Sequence, residues 1–160
     1  MHVGFPSLAA CTLLTAVTAG PCVSGTEWLD AGKAEASADG KVLWYDILDL
    51  GLEGRGWMET KTPYDRLPAA AEGKVPPAVW NLSLNSAGMC VRFVTDATAI
   101  QAHWVLRSKT LAMNHMPATG VSGLDLYVRT PDKGWRWVAV GRPESTDNTA
   151  ALTSGLPAGE

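Results

Sequence analysis

The feature that most constrains this chain is a two-residue alternation of apolar and polar side chains, repeated through its second half. In "TAIQAHWVLR" (98–107), Ile100, Ala102, Trp104 and Leu106 share one face, with Gln101, His103, Val105 and Arg107 opposite. In "GLDLYVRT" (123–130), Leu124, Leu126 and Val128 point one way, and Asp125, Tyr127 and Arg129 the other. "AGMCVRFVT" (87–95) puts Met89, Val91 and Phe93 on one side, and "WRWVAV" (135–140) follows the turn signal "PDKG" (131–134). Side chains that alternate across the backbone belong to strands with one covered face. β-Branched and aromatic residues are common in these runs, turn residues break them at short intervals, and no long run of helical period competes. The chain is expected to be all-β, an antiparallel β-sandwich or jelly roll.

The first half divides the chain. Residues 5–20, "FPSLAACTLLTAVTAG", are small and apolar with no charge. They are too short and interrupted for a membrane span and match the apolar region of a secretory leader, so residues 1–25 are expected to be a signal peptide and the protein to be exported, periplasmic or extracellular. The alternative is an apolar first strand. "LAAC" (8–11) resembles a lipoprotein box, but only ten residues precede Cys11, which argues against it. Residues 26–40 are small and polar and read as a linker. The β domain is expected over 41–160, with "KVLWYDILDL" (41–50) as its first strand, a glycine-rich loop at 51–57, and an irregular, proline-bearing stretch at 60–77. "NTAALTSGLPAGE" (148–160) reads as a strand and a turn. Sandwich edges need cover, so the sandwich is expected to be incomplete at its C-terminal end.

Charge and cysteine content remove several function classes. A net charge of −3 with no basic run gives no support to nucleic acid or an anionic membrane as partner, so no membrane role beyond the leader is expected. Cys11, Cys22 and Cys90 fit no zinc or Cys-x-x-Cys pattern, a disulfide framework is not expected, and Cys90 reads as a small buried apolar residue. His2, His103 and His115 are too dispersed for a metal motif, and no glycine string matches a nucleotide loop, so neither metal nor cofactor is expected.

Catalytic chemistry is equally thin. Ser122 in "GVSG" leads into a strand, not a helix, which is the wrong setting for a nucleophile elbow. His115, in the loop "LAMNHMPATG", is better placed for function than His103 on a strand, but has no nucleophile to serve. Asp46, Asp49, Glu53 and Glu59 read as solvated loop and edge charges rather than a glycosidase pair. Trp135 and Trp137 share one strand face. They are either a stacking platform for sugar rings or the side of a core facing Trp104. "NLS" (81–83) is a glycosylation sequon, meaningful only in a eukaryotic secretory pathway.

"HMPATGVSGLDLYVR" (115–129), with "GLDLY" (123–127) at its centre, resembles the GxDLY domain, the N-terminal β-sandwich that precedes the catalytic domain of a group of SGNH-type esterases, carbohydrate esterases among them. "AEGKVPPAVWNLSLNSAGMCVRFVTDAT" (71–98) and "WRWVAVGRP" (135–143) are also similar to that domain, and the resemblance runs from about Lys41 to the end. It implies a non-catalytic accessory module that packs against or orients a hydrolase domain acting on acylated carbohydrate. The family's serine block and Asp-x-x-His are not in this sequence, so no catalytic residue is assigned, and the SGNH-type catalytic domain is the expected partner, with carbohydrate as a second. Gly120 and Gly123 are expected to let the backbone turn through positive φ. Asn114, His115, Asp125 and Tyr127 are expected to face the hydrolase domain or the rim of its cleft. The alternative for Asp125 is that it ties down a nearby loop through backbone N–H groups. The runner-up function is a stand-alone carbohydrate-binding module using the tryptophans. A complete small hydrolase is disfavoured for want of a nucleophile motif.

Overall fold

A computed structural model describes residues 1–6, 30–132 and 134–157. Among the described residues seven strands carry the fold: β1 (His2–Pro6), β2 (Glu35–Ala36), β3 (Val42–Asp46), β4 (Ala99–Val105), β5 (Leu124–Thr130), β6 (Gly134–Gly141) and β7 (Asp147–Ser154). Two short helices, α1 (Pro77–Ser83) and α2 (Ala118–Ser122), sit in the connections. The strands form a five-stranded antiparallel sheet in the order β2-β3-β1-β4-β7 and a two-stranded antiparallel ribbon, β5-β6. The expected antiparallel all-β architecture is what the chain forms, in two layers of unequal width.

The alternation over 98–107 does what the pattern requires. Ile100, Ala102 and Trp104 are buried on one face of β4. Ile100 joins Val3, Tyr45, Ile47 and Ala97 in the core, with Leu126 and Leu152 packed against it from β5 and β7. Across the centre of the sheet, Val3 of β1 lies opposite Tyr45 of β3 on one side and Ala102 of β4 on the other. β1 is drawn from the stretch expected to be a leader. The rest of that stretch, with Cys11, Cys22 and the linker up to residue 29, lies outside the described residues. Among the described residues no helix is long and apolar enough to cross a membrane.

Three local expectations are corrected, and one element with no counterpart among the expectations, a helix, is added. Residues 87–95 form no strand. Val91 and Phe93 pack on the core, yet the backbone makes only isolated pairings, such as Glu53 with Cys90. The alternation there reports burial, and among the described residues no neighbouring strand completes a ladder. Cys90 is a free thiol on the surface, not a buried apolar residue. Residues 77–83 form a helix, with Pro77 in its first turn, where a missing N–H costs nothing. Residues 118–122, expected as loop, are one helical turn following Pro117.

The irregular stretch 60–77 is fixed by a buried charge that sequence reasoning did not find. Asp65 is 2% exposed. Its carboxylate accepts from Arg107 Nη1 (2.8 Å) and from the Thr62 backbone N–H (2.9 Å). Arg107 also donates to the Leu84 carbonyl (3.3 Å) and to the Thr62 hydroxyl. Burial alone would push the Asp65 pKa up. The hydrogen bonds from Arg107 and Thr62 outweigh it and hold the carboxyl below its usual value. One ion pair thus fastens the loop at 62–65 and the end of α1 to the residues leaving β4. An Asp in "TPYD" gave no sign of this, because its partner lies 42 positions away.

Candidate functional site

The stretch from α2 into the ribbon is the best-built surface feature of the molecule. Gly123 follows α2 with φ −85° and ψ 176°, an extended conformation open to any residue. Neither Gly120 nor Gly123 has positive φ, so the expectation of a left-handed turn is corrected. What Gly123 supplies is space. A Cβ there would stand 2.4 Å from the Thr119 carbonyl oxygen and 2.9 Å from that of Gly141. The helical turn and β6 close on this α-carbon from two sides.

The same corner is pegged to the sheet by Trp104. Its indole is 3% exposed and donates from Nε1 to the Ser122 carbonyl at 3.1 Å. The far edge of its ring lies so close to Gly141 that a Cβ on that residue would fall 2.9 Å from Cη2. Burying a tryptophan this deeply demands a partner for its N–H, and the end of α2 provides one. Ser122 therefore serves through its carbonyl at a packed junction. His103 Nε2 is 2.7 Å from Asp147 Oδ1, so this imidazole is held by a carboxylate.

Beyond the corner, β5 and β6 leave the core. Leu126 packs inward, but Val128, expected to do the same, is largely exposed. The register pairs Asp125 with Val140, Tyr127 with Trp137, and Arg129 with Trp135, with a bulge between Leu126 and Tyr127. These side chains occupy the ribbon face opposite Leu126. Tyr127, Trp135 and Trp137 are 50%, 52% and 57% exposed. Of the two readings of the tryptophans, the core side facing Trp104 is excluded. Trp104 meets backbone instead, and nothing among the described residues covers the outer face.

Asp125 is neither free nor tied to a loop amide. Its Oδ1 accepts from Trp137 Nε1 at 3.0 Å, diagonally across the bulge. The carboxylate fixes the indole plane against the strand while leaving the ring open to solvent. This joins two expected site residues, Asp125 and Tyr127, with Trp135 and Trp137 on one face, and adds Arg129, which sequence reading placed on that face without a role. Asn114 and His115 lie elsewhere. They form the exposed tip of a tight turn closed by reciprocal backbone bonds between Met113 and Met116 (2.9 and 3.2 Å). No hydrogen bond, ion pair or ring contact among the described residues links them to the ribbon.

The surface presents groups that stack and hydrogen-bond. It offers three aromatic faces, one hydrogen-bonded carboxylate and one guanidinium, without a nucleophile placed against a base. The carboxylates at 46–59 do not supply one. Asp46 caps the Leu48 amide (3.0 Å), and Glu53 is paired with Arg92 (2.7 Å). Among the described residues no group of three or more His, Cys, Asp or Glu could hold a metal ion.

Residues 42–159 match a family model described as GxDLY, the N-terminus of Esterase_SGNH_hydro-type. Neither the curated proteins nor the solved structures gave a match. The string that names the family falls on residues whose tasks are now visible. Gly123 admits the close approach of α2 and β6, Asp125 holds Trp137, Leu126 enters the core, and Tyr127 stands opposite Trp137.

Proposed function

The chain belongs to the GxDLY family, the N-terminal part of SGNH-type esterases, and from that premise we propose that it is a non-catalytic accessory module whose β5–β6 face docks on and orients the hydrolase domain. The observation that carries this is the outer face of the ribbon, where Tyr127, Trp135 and Trp137 are each at least half exposed and Asp125 holds Trp137 in place. A patch of large aromatics left uncovered, one of them held by a carboxylate, is unusual on a folded domain and marks an interaction surface. Rigid aromatics lose little side-chain entropy on binding and dominate interface energetics. The parent enzyme is proposed to act on acylated carbohydrate outside the cytoplasm, a reading supported by the family and by the apolar segment 5–20. Asn114 and His115, on their separate turn, are proposed to reach the cleft rim of the same hydrolase domain.

The test is Trp137→Ala and Tyr127→Ser in an esterase that carries this module ahead of its catalytic domain. Docking predicts a fall of about 5- to 50-fold in kcat/KM, on the order of 1–2.3 kcal/mol, with the module still folded. Unchanged kcat/KM in both variants rejects docking through this face.

The exposed tryptophan pair favours one second reading, a sugar-stacking surface. Titration of the chain with xylan, followed by tryptophan fluorescence, separates the two. Saturable quenching lost in Trp135→Ala and Trp137→Ala supports sugar binding, and a flat response rejects it.

A further inference from the structure

The turn "MNHM" (113–116) gathers soft donor atoms in one place. Two of the five methionines and one of the three histidines fall within these four residues. Met113 and Met116 form an isolated antiparallel bridge, in which each backbone N–H donates to the other's carbonyl, at 2.9 and 3.2 Å. Residues directly opposite in an antiparallel pair send their side chains to the same side, with Cβ atoms about 4.5–5.5 Å apart. Both thioethers therefore leave the backbone on one side of the turn. Neither is buried. Met113 is 49% exposed and Met116 is 38% exposed.

The turn is anchored on its C-terminal side. The Pro117 carbonyl accepts from the Gly120 and Val121 N–H groups (3.0 and 3.1 Å), which ties the residue after Met116 to α2. Met116 lies along that helical turn, with its Sδ 3.3 Å from where a Cβ on Gly120 would stand. The absent side chain of Gly120 leaves room for the thioether. His115 is exposed at the tip, and among the described residues its ring has no hydrogen-bond, ion-pair or ring partner.

We propose that Met113, His115 and Met116 bind a cuprous ion through the two Sδ atoms and one imidazole nitrogen. Methionine normally serves as a gap-filler inside a core, and this pair fills none. Thioether sulfur and imidazole nitrogen together suit Cu(I), whereas magnesium and calcium take oxygen donors and zinc takes thiolate, imidazole or carboxylate. The donor set differs in kind from a cluster of His, Cys, Asp and Glu, of which the described residues hold none large enough for a metal. The site does not rest on docking of the β5–β6 face, and its test uses no esterase.

The experiment takes the full chain with Cys11→Ser, Cys22→Ser and Cys90→Ser, so that no thiol competes, and with isotope-labelled methionine methyl groups. Cu(I) is added as its acetonitrile complex in the absence of oxygen. The methyl signals of Met113 and Met116 should move together and stop at a single equivalent. That of Met58, which is 70% exposed, should stay in place. Competition with bicinchoninate then gives the affinity. Met113→Leu, Met116→Leu and His115→Ala should each weaken it about tenfold or more. All three positions are exposed, and an otherwise unchanged spectrum shows that each variant is folded. Zn(II) at the same concentrations should leave both methyl signals unmoved. The inference is overturned if Met58 moves at the same copper concentration as the pair, since any exposed thioether would then suffice. It is also overturned if either leucine variant binds as tightly as the parent. Unchanged affinity in His115→Ala overturns the three-donor site.

Discussion

Alanine at Gly123 tests whether the first letter of the family string is a matter of space. The φ of −85° is open to alanine, so no dihedral penalty applies. The unfolded chain loses freedom on the change, which by itself favours the variant by about 0.4–1 kcal/mol. Against this stands the added methyl, 2.4 Å from Thr119 O, 2.9 Å from Gly141 O and 3.0 Å from Thr119 Cα. All three obstacles are backbone. To reach ordinary contact at 3.4 Å the Thr119 carbonyl must retreat by 3.4 − 2.4 = 1.0 Å, and α2 is held by the bond from Trp104 to Ser122. Overpacking a site that cannot give costs about 1–3 kcal/mol or more, so a net loss of about 1–3 kcal/mol is expected. Gly120→Ala is the control. Its methyl would meet only the Met116 side chain, with Cγ at 3.0 Å and Sδ at 3.3 Å, a flexible end that can move. That variant should stay within about 0.5 kcal/mol of the parent. Urea unfolding reads both, provided m is unchanged. The reasoning is refuted if Gly123→Ala also stays within about 0.5 kcal/mol, or if Gly120→Ala costs as much.

Three further outcomes follow from other contacts. The Asp65 carboxyl has a lowered pKa in the folded state, so its stabilisation is present above the unfolded value near 3.9 and is lost as pH falls through the folded one; urea midpoints measured from pH 5 to 3 should fall less steeply in Asp65→Asn than in the parent, and equal slopes would remove this pair from the account of acid stability. Arg107→Ala leaves that buried carboxylate without its main partner and should cost about 2–4 kcal/mol at pH 7 by the same assay, whereas a loss below about 0.5 kcal/mol would mean the charge finds water. Asn148, 7% exposed, accepts from Glu144 N–H (2.8 Å) and Ser145 N–H (3.1 Å) and donates to the Ser145 carbonyl (2.9 Å); Asn148→Ala should cost about 1–3 kcal/mol and raise hydrogen exchange at 144–145, and Asn148→Asp, which keeps the acceptors, should recover part of it.

What could be read from the sequence divides along physical lines. Strands whose pattern is enforced by one packed neighbour were legible. β4, β5, β6 and β7 lie within a few residues of their expected positions, and the buried face of β4 is the expected one. Features that depend on a distant partner were not. The role of Asp65 required Arg107, that of Gly123 required the approach of Gly141, and Asp125 acts through a bond to Trp137 that depends on a bulge. A short helix such as α1 has little intrinsic stability to announce it, since fewer than about 12 residues rarely hold a helix alone. The segment 87–95 failed in the other direction. Its apolar residues do pack inward, but alternation records only which side chains are covered, and a ladder needs a partner strand as well.

The ribbon shows the same distinction at the place where function is proposed. Alternation puts Asp125, Tyr127 and Arg129 on one face and Leu126 on the other, and Trp135 and Trp137 pair with that first set. It does not say which face is covered, because cover depends on how wide the opposing layer is. Here the inner face of the two-stranded ribbon meets the core through the partly buried Leu126, and the other face, with the aromatics, is left outside. The sheet meets the ribbon through Trp104, and a large ring on one layer calls for small groups on the other. Those groups are the Ser122 carbonyl and Gly141, so the space a second tryptophan would need on the inner face is already taken. The same packing that makes Gly123 and Gly141 indispensable therefore turns Trp135 and Trp137 outward. A domain of this kind is built from the inside: the glycines fix the ribbon on Trp104, and the ribbon, once fixed, presents its aromatic face in one orientation.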